Sequence, residues 1–303
     1  MGALFRRNCR SGSERGFVLV AVLWVLAALA ALATIFSAFL ANSARAIAVN
    51  DNALQKEALV SAAVELTAYQ LRVGGDARPA RGRFHTRLNG ADLSVSFVSE
   101  GARIDLNNAP KPLLSGLMSV LGAGPEQADE YADRIVGWRT RAAAGSTGSE
   151  DALYRAAGLT YGPRQAPFAH VNELSLVVGL PPALVTRALP YVTVFSGSQG
   201  VDVVHAAPEV IAALPGMTPL ILKQFLDDRP ALGNDAQAIA RELGAAAASA
   251  SADKAKAYRI EVRLRVRNGW TTASEVVIGL PQQGDPYRVL AWQDGAGGRR
   301  TEP

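Results

Sequence analysis

The sequence predicts an α+β fold, in which a long N-terminal helix packs on an antiparallel sheet and an all-helical domain is inserted between strands of that sheet. Three observations predict it. No proline occurs from Phe17 to Arg78, which favours one long helix. Residues 257–266 alternate apolar and polar side chains, as half-buried strands do, and residues 82–98 and 270–292 contain further strand and turn signals. Residues 109–255 between them are rich in alanine and have a helical periodicity.

The first part of the long helix is predicted to cross a membrane. No charged residue occurs from Phe17 to Asn42, and about 20 apolar residues span a bilayer core. Residues 1–16 contain four arginines and one glutamate, which favours a cytoplasmic N-terminus. We therefore expect a leader at 1–16, a transmembrane helix at 17–41 and the rest of the chain on the other side of the membrane.

Two other interpretations of this stretch stay open on hydropathy alone. A secretory signal peptide has an apolar region of about 7–15 residues before a small-x-small cleavage site. The apolar run is longer than that, although Ala44-Arg45-Ala46 has the small-x-small pattern. A simple signal anchor would also span the membrane in this orientation.

The second part of the helix is predicted to be amphipathic and to pack on a globular head. Asn42 to Val73 lacks glycine and proline, and Gly74-Gly75 provides a stop signal. A stripe at helical spacing consists of Leu54, Ala58, Ser61, Ala62, Glu65 and Leu66.

Five strands are predicted on the two sides of the helical block. Residues 82–88 and 92–98 flank Asn89-Gly90, a type I′ hairpin signal. Residues 257–266 and 270–280 flank Asn268-Gly269 in the same way, and 287–292 forms a last strand. The α+β domain is therefore expected at 42–108 and 256–293, the inserted helical domain at 109–255 and a tail at 294–303.

The inserted block contains a weak internal repeat. Residues 104–110, which include Asp105-Leu106-Asn107-Asn108-Ala109-Pro110, are echoed by residues 201–208. Apolar residues at helical spacing follow each copy. Residues 168–181 have the pattern of two short helices joined by a turn.

Charge and composition disfavour several function classes. The net charge is +4, and because the leader carries +3, the rest of the chain carries only +1, which does not favour a polyanion-binding protein. Cys9 in the leader is the only cysteine, and the sequence has no zinc, phosphate-loop or nucleophile-elbow motif. We expect no enzyme activity and no catalytic residue, and we expect His170 and His205 to pack or cap turns.

The N-terminal junction and the downstream motifs together resemble one family, the K-type minor pseudopilins of bacterial type II secretion systems. The resemblance extends over nearly the whole chain. Its supports are, in chain order, Gly16-Phe17, the long helix, residues 105–110, 135–139, 148–154, 168–180, and 201–208 leading into 214–217.

This resemblance implies a processed N-terminus. A prepilin peptidase would cut after Gly16 and methylate the new N-terminal Phe17. Most pilin-like subunits have a glutamate at the fifth mature position, where this chain has Ala21. Since a carboxylate at membrane depth is costly unless paired, an apolar residue suits a subunit that has no subunit above it.

The resemblance also implies a location and a non-enzymatic role in protein export. The protein would be a single-pass inner-membrane protein with a cytoplasmic N-terminus and a periplasmic globular domain. It would cap the pseudopilus tip and help to initiate assembly. Its partners would be I-type and J-type minor pseudopilins, the major pseudopilin, the prepilin peptidase and the inner-membrane assembly platform.

Calcium is the one cofactor that the resemblance implies. The family pattern has aspartates on both sides of Trp138, where this chain has Gly137 and Thr140. Glu150 and Asp151 remain as candidate ligands. Calcium takes about 6–8 oxygen ligands, so this ligand set is depleted.

One alternative function comes from the turn motifs. The Asn-Asn-Ala-Pro unit and the hairpins are similar to helix-hairpin-helix modules of membrane-anchored DNA-binding proteins. Residues 109–255 carry 11 Lys/Arg and 14 Asp/Glu, a net charge of −3. Because phosphate binding needs a basic surface, this charge argues against nucleic acid as a partner.

Overall fold

The structure is a computed structural model that describes residues 14–75, 78–141, 149–233, 235–251, 255–266, 271–281 and 285–295. The structure does not describe the side chains of residues 14–17, 44–52 and 149. The chain divides into two compact units, residues 1–59 and residues 60–303.

The first helix, α1, is continuous from Glu14 to Val73, as the absence of proline predicted. Within the first unit, Val18–Ser43 is long and apolar enough to cross a membrane, and none of it is buried. A helix that is apolar on all sides and unburied needs an apolar environment outside the protein. This segment is therefore compatible with a single-pass membrane anchor.

The part of α1 in the second unit has one buried face. Its buried residues recur three and four positions apart, and they are Val60, Ala63, Val64, Thr67, Ala68 and Leu71. The stripe predicted from the sequence was wrong in position, because Leu54 and Leu66 are exposed. Both sets have helical spacing, and the branched side chains at 60 and 64 bury more apolar surface than the small residues of the predicted stripe.

The strands are β1 Arg81–Leu88, β2 Ala91–Ser99, β3 Ile104–Asp105, β4 Val192–Thr193, β5 Ala257–Arg265, β6 Thr271–Gly279 and β7 Arg288–Asp294. The five long ones were predicted, and they form one antiparallel sheet in the order β1-β2-β5-β6-β7. Asn89 and Gly90 have φ values of 48° and 76°, positive at both positions as a type I′ turn requires. The second predicted turn, Asn268-Gly269, lies outside the described residues.

The two faces of the sheet differ in burial. Alternate residues of β2 and β5 are buried, among them Leu93, Val95, Ile260 and Val262. The intervening positions of β1 and β5 carry mainly charged side chains. Burial raises the pKa of Tyr287, which precedes β7, and the carboxylate of Glu65 on α1 raises it further. The second unit therefore combines the buried face of α1 with the apolar face of the sheet in one fold.

Between β2 and β5 the chain is mostly helical, as predicted. Its helices are α2 Lys111–Val120, α3 Pro125–Arg139, α4 Ser149–Ala156, α5 Pro182–Ala188, α6 Pro208–Ala212, α7 Pro219–Leu232 and α8 Ala236–Leu243. They surround an apolar core that includes Leu113, Ile135, Trp138 and Phe225. Proline stands in the first turn of five of these helices, where the missing N–H removes no helical hydrogen bond.

The short strands β3 and β4 were not predicted. They pair in parallel, with Ile104 opposite Val192. Two residues are too few for an alternation of apolar and polar side chains, so a sequence pattern cannot detect such strands.

A buried ion pair joins the sheet to the helical region. Glu100 is fully buried, and its Oε1 accepts a hydrogen bond of 2.7 Å from Nε of Arg259 on β5. Its Oε2 accepts a hydrogen bond from the Thr193 hydroxyl on β4. Arg259 also pairs with Glu275 on β6. The Glu100 carboxylate thus connects β4 of the helical region to β5 of the sheet, and Arg259 extends this connection to β6.

Replacing Arg259 with methionine should strongly destabilise the fold. Glu100 would become a buried charge without its hydrogen-bonded cation, and breaking a buried pair in this way costs about 3–5 kcal/mol. We expect this loss in the free energy of unfolding, measured by urea titration of the full chain in neutral detergent.

The matched control is Arg263→Met on the same strand. Arg263 and its partner Glu261 have side chains that are 70% and 40% exposed, and an exposed pair contributes under about 1 kcal/mol. Equal losses in the two variants would contradict the structural role assigned to Glu100.

Candidate functional site

The predicted processing site lies near the start of α1. Gly16 and Phe17 are within the helical bounds, and their side chains are outside the described part. Ala21 is exposed on the apolar segment. Residues 18–43 contain no charged side chain, so a carboxylate at position 21 would have no partner within this segment.

The Asp105–Pro110 motif forms a capped turn before α2. Asp105 is buried, and its Oδ1 accepts a hydrogen bond from the Asn107 backbone N–H at 2.8 Å. Its Oδ2 accepts from the Ser196 hydroxyl at 3.0 Å and from the Gly197 N–H at 2.8 Å. The carboxylate thereby holds both its own turn and the loop after β4, and these charge-assisted bonds compensate for its burial.

The amide of Asn107 connects this turn to a distant segment. Its Oδ1 accepts from the Phe168 N–H at 2.6 Å, and its Nδ2 donates to the Phe168 carbonyl at 3.0 Å. Arg139 at the end of α3 donates to the carbonyls of Leu106 and Ala109, the latter at 2.7 Å. The motif is therefore a structural junction of the helical region.

The second copy of the repeat has the same construction. Asp202 Oδ1 accepts from the Val204 N–H at 3.1 Å, and Arg229 of α7 donates to the Ala206 carbonyl at 2.8 Å. Val201 pairs in parallel with Ala250, as Ile104 does with Val192 in the first copy. The weak sequence repeat is therefore a structural repeat, in which an aspartate caps the turn and an arginine binds a carbonyl of that turn.

Sequence reasoning missed the two arginines of this repeat. Arg139 and Arg229 follow their aspartates at different separations, so no fixed spacing reveals them. Burial lowers the pKa of both guanidinium groups, in keeping with side chains directed into the protein.

The two histidines of the turns have structural partners, as predicted. His170 Nδ1 accepts from the Asn172 backbone N–H at 3.1 Å and so caps the following turn. His205 Nδ1 lies 2.8 Å from Asp202 Oδ2, the carboxylate of the second repeat.

The two predicted metal ligands are adjacent in sequence but have different partners. Glu150 Oε2 accepts from Arg134 Nη1 at 2.8 Å, and both side chains are about four-fifths buried. Asp151 Oδ2 accepts from Gln165 Nε2 at 3.3 Å. Burial raises the pKa of Glu150 above its ordinary value despite the opposing effect of Arg134. Proton binding by Glu150 therefore favours the folded state, and this contribution is lost as the pH rises through the raised pKa.

The geometry of these carboxylates does not fit a calcium site. The buried Oε1 of Glu150 has no hydrogen-bond partner among the described residues, which is the one feature that a cation could satisfy. However, Arg134 already supplies a positive charge to this carboxylate. A Cβ at Gly137 would lie 2.6 Å from Glu150 Cδ, so an aspartate ligand at 137 would displace Glu150. No group of three or more His, Cys, Asp or Glu side chains that could hold a metal ion occurs in the described ranges.

Comparison with known proteins identifies related sequences. Residues 87–197 match the family described as type II secretion system (T2SS), protein K. This range includes the Asp105–Pro110 motif, Trp138 and the Phe168 turn. A stretch of 113 residues, 37% of the chain, is 33% identical to type II secretion system protein K of Dickeya chrysanthemi, and it spans only 29% of that protein's length.

The fold is similar to a solved structure. One chain in the crystal structure of the GspK-GspI-GspJ complex from the enterotoxigenic Escherichia coli type 2 secretion system matches with a TM-score of 0.58. The match covers 82% of this chain and 99% of that chain at 18% identity, so it shows the fold. The sequence matches confirm the resemblance to K-type pseudopilins over the matched residues, and the solved structure shows that the fold is shared.

Calcium should leave the stability of this protein unchanged. A ligand at one hundred times its Kd stabilises a folded protein by about 2.7 kcal/mol, which is easily measured. We expect equal thermal unfolding midpoints in excess calcium and in EDTA. A calcium-dependent rise that Glu150→Gln abolishes, and that the exposed control Glu126→Gln retains, would contradict this expectation and establish the site.

Proposed function

We propose that this chain, with its resemblance to the K-type minor pseudopilins, caps the tip of the type II secretion pseudopilus and helps to initiate its assembly for protein export. The family is structural and not catalytic, and we assign this chain the same non-enzymatic role. Within type II secretion, we assign this chain one particular place, the tip of the pseudopilus.

The observation that carries the proposal is the large helical region inserted between β2 and β5. It has an apolar core of its own, and the buried Glu100 attaches its base to the sheet. A bulky insertion attached in this way would block the stacking of a further subunit above it. The membrane-length segment of α1 would pack laterally against the helices of other pseudopilins.

The proposed partners and location follow from this assembly. The solved relative was crystallised in a complex with GspI and GspJ, and we propose the I-type and J-type minor pseudopilins as partners of this chain. The major pseudopilin, the prepilin peptidase and the inner-membrane assembly platform would act during processing and assembly. The N-terminus would be cytoplasmic and the globular part periplasmic.

Processing is proposed between Gly16 and Phe17, with methylation of Phe17. Replacing Gly16 with leucine should leave the leader attached, because the peptidase would no longer accept the junction. We expect intact mass measurement to show the uncleaved chain, and secretion to fail in a host that lacks its own K-type pseudopilin.

Ala28→Leu in the apolar segment is the control, since it also introduces a leucine but leaves the Gly16-Phe17 junction unchanged. It should be cleaved and should support secretion. Normal secretion by an uncleaved Gly16→Leu chain would contradict the proposal.

Substitutions of Ala21 test the proposed location of this chain at the tip of the pseudopilus. Ala21→Glu would put an unpaired carboxylate at membrane depth, at a cost of about 2.5–3.5 kcal/mol. We expect reduced recovery in the inner membrane and reduced secretion, whereas Ala21→Leu should behave as the parent. Full secretion by Ala21→Glu would mean that another subunit pairs with this carboxylate, which a chain at the tip does not allow.

A further inference from the structure

The outer face of the sheet, opposite the apolar face, has an excess of positive charge. Register places the odd-numbered residues of β1 beside the even-numbered residues of β2 and the odd-numbered residues of β5 and β6. Across these four strands the outer face carries six arginines, Arg81, Arg83, Arg87, Arg259, Arg263 and Arg265, and three carboxylates, Asp92, Glu261 and Glu275. Arg259 is largely buried and also pairs with the buried Glu100, so the excess of positive charge comes from the other five arginines.

The three carboxylates already have arginine partners. Asp92 pairs with Arg87 at 3.4 Å, Glu261 pairs with Arg263 at 2.8 Å, and Glu275 pairs with Arg259. Arg81 and Arg83 are exposed, and neither has a carboxylate partner among the residues that the structure describes. Both lie on β1, so the unbalanced positive charge extends to the edge of the sheet.

The same cations border an open strand edge. In the described parts of the chain, β1 has β2 as its only strand neighbour. The outward residues Arg81, Arg83, His85 and Arg87 recur at every second position, about 6.7 Å apart along a strand. The opposite edge differs, because Arg288 of β7 is paired with Asp285 and Gln293 contacts His170 of the insert at 2.9 Å.

We propose that β1 binds an extended acidic segment of a partner protein as an added strand. The backbone of β1 would supply ladder hydrogen bonds, and carboxylates at alternate positions would face the arginines. The intervening residues would lie on the side of Phe84 and the exposed Leu88, so they should be apolar. The ligand is thus a segment that alternates acidic and apolar residues.

The probe is a labelled peptide of four Glu-Val repeats, measured by fluorescence anisotropy with the full chain in neutral detergent at low salt. We expect saturable binding that weakens as salt is added. Arg81→Glu combined with Arg83→Glu should weaken it at least about tenfold. Arg155→Glu combined with Arg187→Glu, at exposed positions of α4 and α5, makes the same change in net charge and should bind as the parent.

Backbone methylation separates strand addition from simple charge attraction. Only alternate amides of an added strand face β1. We expect N-methylation of one alternate set to abolish binding and N-methylation of the other set to preserve it.

Several results would overturn the proposal. They are absence of binding by the parent chain, equal binding by the Arg81→Glu, Arg83→Glu variant, equal binding of both methylated peptides, and displacement of the probe by tripolyphosphate as readily as by the unlabelled peptide. Self-association of the parent that the same variant abolishes would identify a second copy as the occupant, and would also overturn it.

Discussion

The pairing of buried Glu100 with Arg259 joins the two parts of the globular region. Glu100 directly follows β2, and the Thr193 hydroxyl reaches it from β4. A buried carboxylate is tolerated only with a cation and hydrogen bonds, so the sheet and the helical region must keep this arrangement together. The proposed capping role depends on it, because an insertion free to move at its base would not block a further subunit.

The helical region is organised by a repeated use of aspartate and arginine. Asp105 and Asp202 each accept a backbone N–H two residues later, and Arg139 and Arg229 bind carbonyls of the two turns. Bonds to charged groups are stronger than neutral ones, so the turns between short helices are held without long stretches of helix packing. The resemblance to DNA-binding hairpins is thereby explained by structure, since the turn amides bind carboxylates of the protein itself.

The helical region has a net negative charge, whereas the outer face of the sheet is positively charged. Residues 109–255 carry a net charge of −3, whereas arginines outnumber carboxylates on the outer face of the sheet, even when the buried Glu100 beside Arg259 is counted. The net charge of the whole chain conceals this division. Strand register brings together arginines from separated stretches, such as Arg87 and Arg265, which both lie beside Asp92. The proposed acidic partner therefore could not be inferred from composition.

Local sequence was sufficient to predict α1, the five long strands, the Asn89-Gly90 turn and the location of the helices, because these depend on periodicity and turn chemistry. The motifs from Asp105 to Phe168 that carried the resemblance also lie within the family match. Contacts between distant residues, by contrast, established the β3–β4 pair, the burial of Glu100, the pairing of Glu150 with Arg134 and the packed face of α1. Such contacts leave no local pattern, since the partners are separated by many residues and their spacing follows from the fold.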